Sequence, residues 1–269
     1  MKFYGITGFA NRLMKSYLRN RCQRVIINAH NNSIGYFSKW KEVQHRVQQG
    51  SVLGPLLFLI YINDLSKSAS DKSSQILFAD DTSFIIANRD ETEFNFKTNE
   101  ILNEINKWFH SNLLTLNYDK TYFLQFLTKT DNEINMQVPF GNRKIATAQS
   151  LKFLGLIIDT TLTWKHHIGE LTSRLNKACY AIRSVKPFLS LDVPRSTYFS
   201  YAHSIISYGI IFCGNLSYSE DIFKIQKRII SIIMNSNRNA SCRQLFKDFN
   251  ILPTQSQYIY SILYLELPK

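Results

Sequence analysis

Two adjacent aspartates, Asp80 and Asp81, lie in the stretch QILFADDTSFIIAN between two hydrophobic runs. Ile76, Leu77 and Phe78 precede the pair and Phe84, Ile85 and Ile86 follow it, β-branched or aromatic segments of strand length. They predict a hairpin of buried strands with its turn at Ala79 to Thr82. Neighbouring side chains on a straight strand point to opposite faces, so consecutive aspartates address one site only where the backbone bends. Two carboxylates about 4 Å apart repel by about 4 kcal/mol at an effective dielectric of about 20. A positive group between them is therefore expected, and a divalent cation with oxygen ligands fits. The competing reading is an Asp-rich turn whose side chains bond their own backbone. The pair alone leaves both open.

A second segment, VQQGSVLGPLLFLIYINDL at residues 47–65, carries Gly50 and Gly54 around Ser51, with Pro55 just beyond. Pro is tolerated in the first turn of a helix, which predicts a helix running through Leu56, Leu57, Ile60 and Tyr61. Its apolar composition predicts burial. The glycine-rich entry would leave backbone amides open to a phosphate or base, although a glycine-punctuated core helix reads the same way. No Gly-Lys-Ser/Thr follows, which excludes a P-loop.

The elements around these segments follow from periodicity. Residues 8–20 predict a helix, followed by a short strand around Arg24 to Asn28 and a turn at His30 to Ser33. Phe94, Thr98, Ile101, Leu102, Ile105, Trp108 and Phe109 recur at helical spacing, giving an amphipathic helix packed on a sheet. A strand is expected at about 121–127, and a hairpin in NEINMQVPFGNRKIATA around its Pro-Phe-Gly-Asn turn. KFLGLIID reads as one strand. Ile168, Leu171, Leu175, Ala178, Ile182 and Val185 then alternate by three and four, and residues 195–265 read as mostly helical, with Ile222, Ile225, Ile229 and Ile232 on one face.

Lys and Arg number 32 against 20 acids, a net charge of +12. Residues 1–41 hold Lys2, Arg12, Lys15, Arg19, Arg21, Arg24, Lys39 and Lys41, with no Asp or Glu before Glu42. That field attracts a polyanion, and Arg19, Arg21 and Arg24 are the expected contacts to a nucleic-acid backbone. Cys22, Cys179, Cys213 and Cys242 are scattered without metal-ligand spacing. They predict reduced thiols in an intracellular protein, cytoplasmic or nuclear, with no disulfide-linked partner. His166 and His167 diverge on a helix start, so no zinc site is expected. No apolar run of membrane-spanning length and no secretory signal are seen.

Taken together, QGSVLGPLLFLIYINDL and FADDT resemble motifs B and C of the reverse-transcriptase palm of non-LTR (LINE-like, Jockey-type) retrotransposons, at the spacing of that family. LNYDKT, residues 116–121, resembles motif D, with Lys120 as its lysine. LKFLGLIIDTTLTWKHHI resembles the palm-to-thumb junction, and SYGIIFCG onward the region after the thumb. The resemblance implies an α+β fold, a partial polymerase palm of antiparallel sheet with packed helices at residues 1–160, then a helical thumb and extension at 161–269. It implies magnesium, or manganese, held by Asp80 and Asp81 as catalytic ligands, and Lys120 facing the triphosphate. Gln49, Gly50 and Ser51 would lie on the nucleotide and template side, with an RNA template and DNA primer as partners.

The sequence also departs from the pattern. The family's motif A aspartate lies N-terminal to the part resembling residues 1–21. Where motif B typically reads Gly-Val-Pro-Gln-Gly, this chain has Arg46, Val47, Gln48, Gln49 and Gly50. The expectation is an N-terminally truncated reverse-transcriptase fragment, inactive alone and weak in metal binding. The alternatives are a non-catalytic basic module that binds RNA or DNA, and a degenerate element product without selected function.

Overall fold

The computed structural model describes residues 2–28, 35–43, 47, 50–68, 73–128, 138–140, 143–188, 192–236 and 241–267. The chain divides into two compact units, residues 1–117 with 136–144, and residues 118–135 with 145–269. Helices and short, mostly antiparallel sheets are both present, as an α+β fold requires.

In the first unit, α1 (Gly8–Leu18) buries Asn11 and Met14, three residues apart on one face. Four short strands follow: β1 (Cys22–Gln23), β2 (Ile26–Asn28), β3 (Gly35–Phe37) and β4 (Lys41–Glu42). β1 pairs with β4 and β2 with β3, both antiparallel. Between the two ladders Ser38 accepts the Val25 N–H on its hydroxyl at 2.9 Å and returns its own N–H to the Val25 carbonyl at 3.0 Å. The expected turn at His30 to Ser33 lies outside the described residues.

Next come α2 (Leu53–Ile62), α3 (Leu65–Ser68), β5 (Ser74–Phe78), β6 (Asp81–Ile85) and α4 (Glu91–Ser111). Asp90 caps α4 by accepting the Glu93 N–H at 2.8 Å, satisfying one of the donors that every helix start leaves open. Thr98, Ile101 and Ile105 are its buried stripe, as the helical spacing predicts. α4 packs on α3 and on β8 (Val138–Phe140).

The second unit opens with a 3-10 turn at Tyr118–Lys120 and β7 (Tyr122–Phe123), shorter than the strand expected at 121–127. β7 runs parallel to β9 (Arg143–Thr147). Of the hairpin expected around Pro-Phe-Gly-Asn, the second strand forms as β9, while Pro139 and Phe140 of the expected turn belong to the strand β8; residues 132–137 of the expected first strand, and Gly141 and Asn142, lie outside the described residues. The single strand expected in KFLGLIID is instead a hairpin, β10 (Ser150–Phe153) and β11 (Leu156–Asp159). Leu154 and Gly155 form the turn at φ of 45° and 84°. Two consecutive positive φ values match the twist of a two-residue hairpin, and Gly155 allows the second. The Tyr208 hydroxyl donates to the Leu154 carbonyl and fixes the turn.

Asp159 at the end of β11 organises the entry to α5 (Lys165–Val185). Its carboxylate accepts the N–H groups of Thr161, Thr163 and Trp164 and both threonine hydroxyls, at 2.8 to 3.2 Å. Burial works against the charge, but these hydrogen bonds outweigh it and hold the pKa below the ordinary value. Beyond lie α6 (Asp192–Thr197), a π-helical stretch at Tyr198–His203, α7 (Ser204–Ser207) and α8 (Ile210–Cys213). α9 (Ser219–Ile233), α10 (Cys242–Asp248) and α11 (Thr254–Glu266) complete the chain. α5 lies against α9, and one contiguous apolar cluster runs from Ile168 through Leu175, Ile206 and Ile229 to Ile251.

Inside that cluster Gln226 is fully buried and fully bonded. Its amide donates to the Tyr198 hydroxyl at 2.8 Å and the Leu252 carbonyl at 3.0 Å, and its oxygen accepts from the Thr254 N–H and hydroxyl, each at 2.9 Å. Burial lifts the Tyr198 phenol to about 12, so it remains a neutral donor and acceptor.

Candidate active site

Asp80 and Asp81 lie where β5 turns into β6. The register pairs Phe78 with Asp81 and Leu77 with Thr82. The turn is therefore Ala79 and Asp80 alone, tighter than the Ala79 to Thr82 expected, and Thr82 belongs to the ladder. Ala79 has φ of 51°, a left-handed conformation usually left to glycine. Asp80 sits at the tip and Asp81 begins β6, both exposed. Because one aspartate lies outside the ladder, strict alternation does not set the pair's directions.

The flanking strands differ from the expectation of burial. Gln75, Leu77, Thr82 and Phe84 share the less exposed face, while Ile76, Phe78 and Ile85 join Asp81 on the open one, with Phe78 60% exposed. Among the described residues β5 and β6 pair only with each other, and the exposure of Ile76, Phe78 and Ile85 marks a face without a covering layer.

α2 forms as predicted, with Pro55 in its first turn. Its expected burial does not follow. Gly54 and Ile62 are buried, whereas Leu56, Leu59 and Tyr61 are about half exposed. A helix apolar on every side needs neighbours all round, and this one packs on a single side. Gly50 takes φ of 84° and requires its missing side chain for that turn. The Ser51 hydroxyl accepts the Gly54 N–H at 3.1 Å and so caps the helix entry. Gln49 lies outside the described residues. The Tyr61 hydroxyl donates to the Asn112 carbonyl, tying α2 to the end of α4.

Lys120 ends the 3-10 turn of the second unit and is exposed. The three arginines of the N-terminal segment have different surroundings. Arg19 is exposed at the end of α1, and the Arg21 carbonyl accepts the Val43 N–H at 2.7 Å. The Arg24 guanidinium lies over the rings of Phe37, at 4.5 Å, and Trp40, at 4.7 Å. Sequence reasoning placed Arg24 by charge alone. The exposed rings that hold it, with Trp40 63% exposed, sit far enough along the chain that only strand pairing brings them together.

Consecutive aspartates open to water offer hard oxygen donors suited to magnesium or manganese. Among the described residues no cluster of three or more His, Cys, Asp or Glu side chains forms, so the donor chemistry fits while the donor number is that of a partial site. All four cysteines are free. No described helix is long and apolar enough to cross a membrane.

The strand-turn-strand carrying Asp80 and Asp81, preceded by a glycine-entered helix, falls within residues 6–158, which match the family described as reverse transcriptase (RNA-dependent DNA polymerase). That match covers more than half the chain, and the chain belongs to this family. Three Drosophila melanogaster proteins are similar to it. A probable RNA-directed DNA polymerase from transposon BS is 25% identical over 266 residues, 95% of this chain and 28% of that protein. The RNA-directed DNA polymerase from mobile element jockey is 26% identical over 165 residues, 59% of this chain and 17% of its own length. A probable RNA-directed DNA polymerase from transposon X-element is 28% identical over 166 residues, 61% and 17%. The chain thus spans less than a third of the curated relatives it matches. No solved structure matches it. The resemblance to non-LTR retrotransposon reverse transcriptases, read from motifs B and C, is borne out.

Proposed function

We propose that residues 1–160 are the palm part of a reverse transcriptase and residues 161–269 its helical thumb and extension, acting on an RNA template and a DNA primer. The observation that carries this reading is the β5–β6 hairpin, which holds Asp80 and Asp81 exposed at a two-residue turn inside the family match. A bound magnesium or manganese ion would neutralise charge on the attacking and departing oxygens of nucleotidyl transfer. Asp80 and Asp81 supply carboxylate oxygens to that ion. Gly50 gives the backbone its close approach on the template side, Gln49 and Ser51 flank it, and Lys120 balances triphosphate charge.

Residues 1–269 taken alone do not extend a primer on this reading. In-line transfer needs two ions and a further carboxylate to share between them, and residues 1–41 contain no Asp or Glu. The test is primer extension on homopolymer RNA with magnesium or manganese. It compares the chain, its Asp80→Asn/Asp81→Asn variant, and a chimera carrying the fingers and motif A of a related element. No extension by the chain, extension by the chimera and its loss on adding the double substitution are expected. Extension by residues 1–269 alone would overturn the proposed inactivity. A chimera that extends equally well with both aspartates replaced would remove them from the site.

A second reading, nucleic-acid binding without catalysis, is favoured by Arg24 held over Phe37 and Trp40 within an acid-free, cationic segment. A guanidinium beside exposed rings offers both charge and a stacking face to single-stranded nucleic acid.

A further inference from the structure

Outside the region of the family match, α10 and the segment after it border a cleft of about 560 Å³. Phe223 of α9 and Phe246 of α10 form its aromatic wall, their rings stacked at 5.8 Å with 28° between planes. Ile251 adds an apolar surface, and Arg243 and Lys247 stand at its edge. These two cations are four residues apart on α10, so they share one helix face. Among the described residues no carboxylate lines the cleft. Asp248, the acid of α10, instead accepts a hydrogen bond from Gln244 at 2.6 Å.

We propose that this cleft is a nucleotide subsite for single-stranded nucleic acid, taking a base against Phe223 and the adjoining phosphate at Arg243 and Lys247. Its size lies within the range of about 300 to 1,000 Å³ common to small-ligand sites. An apolar, aromatic floor with a purely cationic rim selects a ligand that is flat at one end and anionic at the other. A base stacks on an aromatic ring whatever its identity, and the phosphate supplies the charge that the rim lacks. An acidic peptide would satisfy the rim but leave the aromatic wall without a planar partner. The proposal rests on the nucleic-acid reading of the whole chain and adds to it a contact in the C-terminal helices.

Cys242 lines the same cleft, is free and is half-buried, so its alkylation reports occupancy. In a Cys22→Ser background the remaining thiols, Cys179 and Cys213, are buried and their pKa values raised, Cys213 to about 11, which leaves Cys242 as the reactive one. The experiment follows iodoacetamide alkylation of Cys242 by mass spectrometry, with and without a saturating deoxythymidine decamer. Binding of the labelled decamer is followed in parallel by fluorescence anisotropy. The expected result is alkylation slowed at least fivefold by the decamer. Arg243→Ser/Lys247→Ser, checked for native helix content by circular dichroism, should abolish protection. The same variant should lower the slope of log affinity against log salt by about 0.7, the value for one phosphate of a single strand. A decamer bound by anisotropy that leaves alkylation unchanged would overturn the subsite while sparing the nucleic-acid reading. No binding at all would overturn both. Equal protection by a glutamate decamer would make the cleft a general anion site and overturn the nucleotide assignment.

Discussion

In the second unit, buried side chains form one continuous cluster from Ile168 on α5 to Ile251 beyond α10. In the first, burial is scattered over Met14, Ile62, Leu65, Ile101 and Ile105, while Phe9, Phe37, Trp40, Leu59 and Phe78 stay exposed. The contrast follows from element type. Long amphipathic helices such as α5 and α9 present apolar stripes that close on one another. Two-stranded ladders of two to five residues have an uncovered face and unpaired edges. Gly50 and the Asp80–Asp81 pair, assigned above to the proposed site, belong to the thinly packed unit. Groups that must meet ions and substrates need open turns, and the packing that makes a fold persist is concentrated elsewhere.

The sharpest way to break this comparison is to remove Gln226. Gln226→Ala would open a cavity and strand the Tyr198 hydroxyl, the Leu252 carbonyl and the Thr254 N–H in the core. A loss of about 3 to 5 kcal/mol is expected from urea unfolding. Leu175→Ala should cost about 3 kcal/mol by cavity formation, whereas Leu77→Ala on the half-covered face of β5 should cost about 1 kcal/mol or less. Equal costs would mean that the hairpin is as tightly packed as the helices.

Charge sharpens the comparison from the other side. Arg19→Ser/Arg21→Ser/Arg24→Ser should weaken binding of single-stranded nucleic acid by about tenfold at low salt and flatten its salt dependence. Helical content and the stability of the second unit should remain as they are. A salt-insensitive binding curve in the unchanged chain would reduce the N-terminal cations to a solvated face.

Among the described residues, the histidines with shifted pKa values, His167 and His203, belong to the second unit. His167 is buried, accepts the Ile157 N–H on Nδ1 at 3.4 Å, and has no partner for Nε2 among the described residues. Burial pushes its pKa below the ordinary 6.5, with Glu170 opposing and Arg174 reinforcing the shift. Protonation therefore favours the unfolded chain, so stability is full above about pH 6.5 and falls below it, with half-buried His203 acting in the same direction. Asp159 has the opposite chemistry but the same acid sensitivity. Its depressed pKa stabilises the fold above the ordinary 3.8, and that contribution is lost as pH falls through the folded value. Urea midpoints of the unchanged chain should decline between about pH 7 and pH 5, and His167→Gln should reduce that decline. An unaltered decline in the variant would clear His167 of the effect.

Much of this was legible in the residues. The 3.6-residue spacing placed α4 and α5 closely and marked one face of α9, residues 8–20 held α1, and apolar runs around Asp80 and Asp81 placed the β5–β6 hairpin. What escaped was set by tertiary context. Leu154–Gly155 lacks the Asn or Asp that usually announces a two-residue turn, so β10 and β11 read as one strand. Gln226 is polar and sits among Lys224, Lys227 and Arg228, so nothing in the local sequence marks it as a core residue. The apolar composition of α2 suggested a core helix, because composition reports what a helix is able to bury and not how many neighbours it finds. Arg24 between two rings required a strand pairing that charge counting does not see.

The most direct test concerns the aspartate pair itself, where the smallest effect on stability should accompany the clearest effect on chemistry. Manganese titrated into the isotopically labelled chain should broaden amide signals around Ala79 to Thr82, with weak affinity because two carboxylates leave most coordination positions to water. In Asp80→Asn/Asp81→Asn that local broadening should vanish while stability changes by no more than about 0.5 kcal/mol, as for an exposed turn. Equal broadening in the double variant, or broadening centred away from the β5–β6 turn, would contradict the assignment of Asp80 and Asp81 as the metal-holding pair.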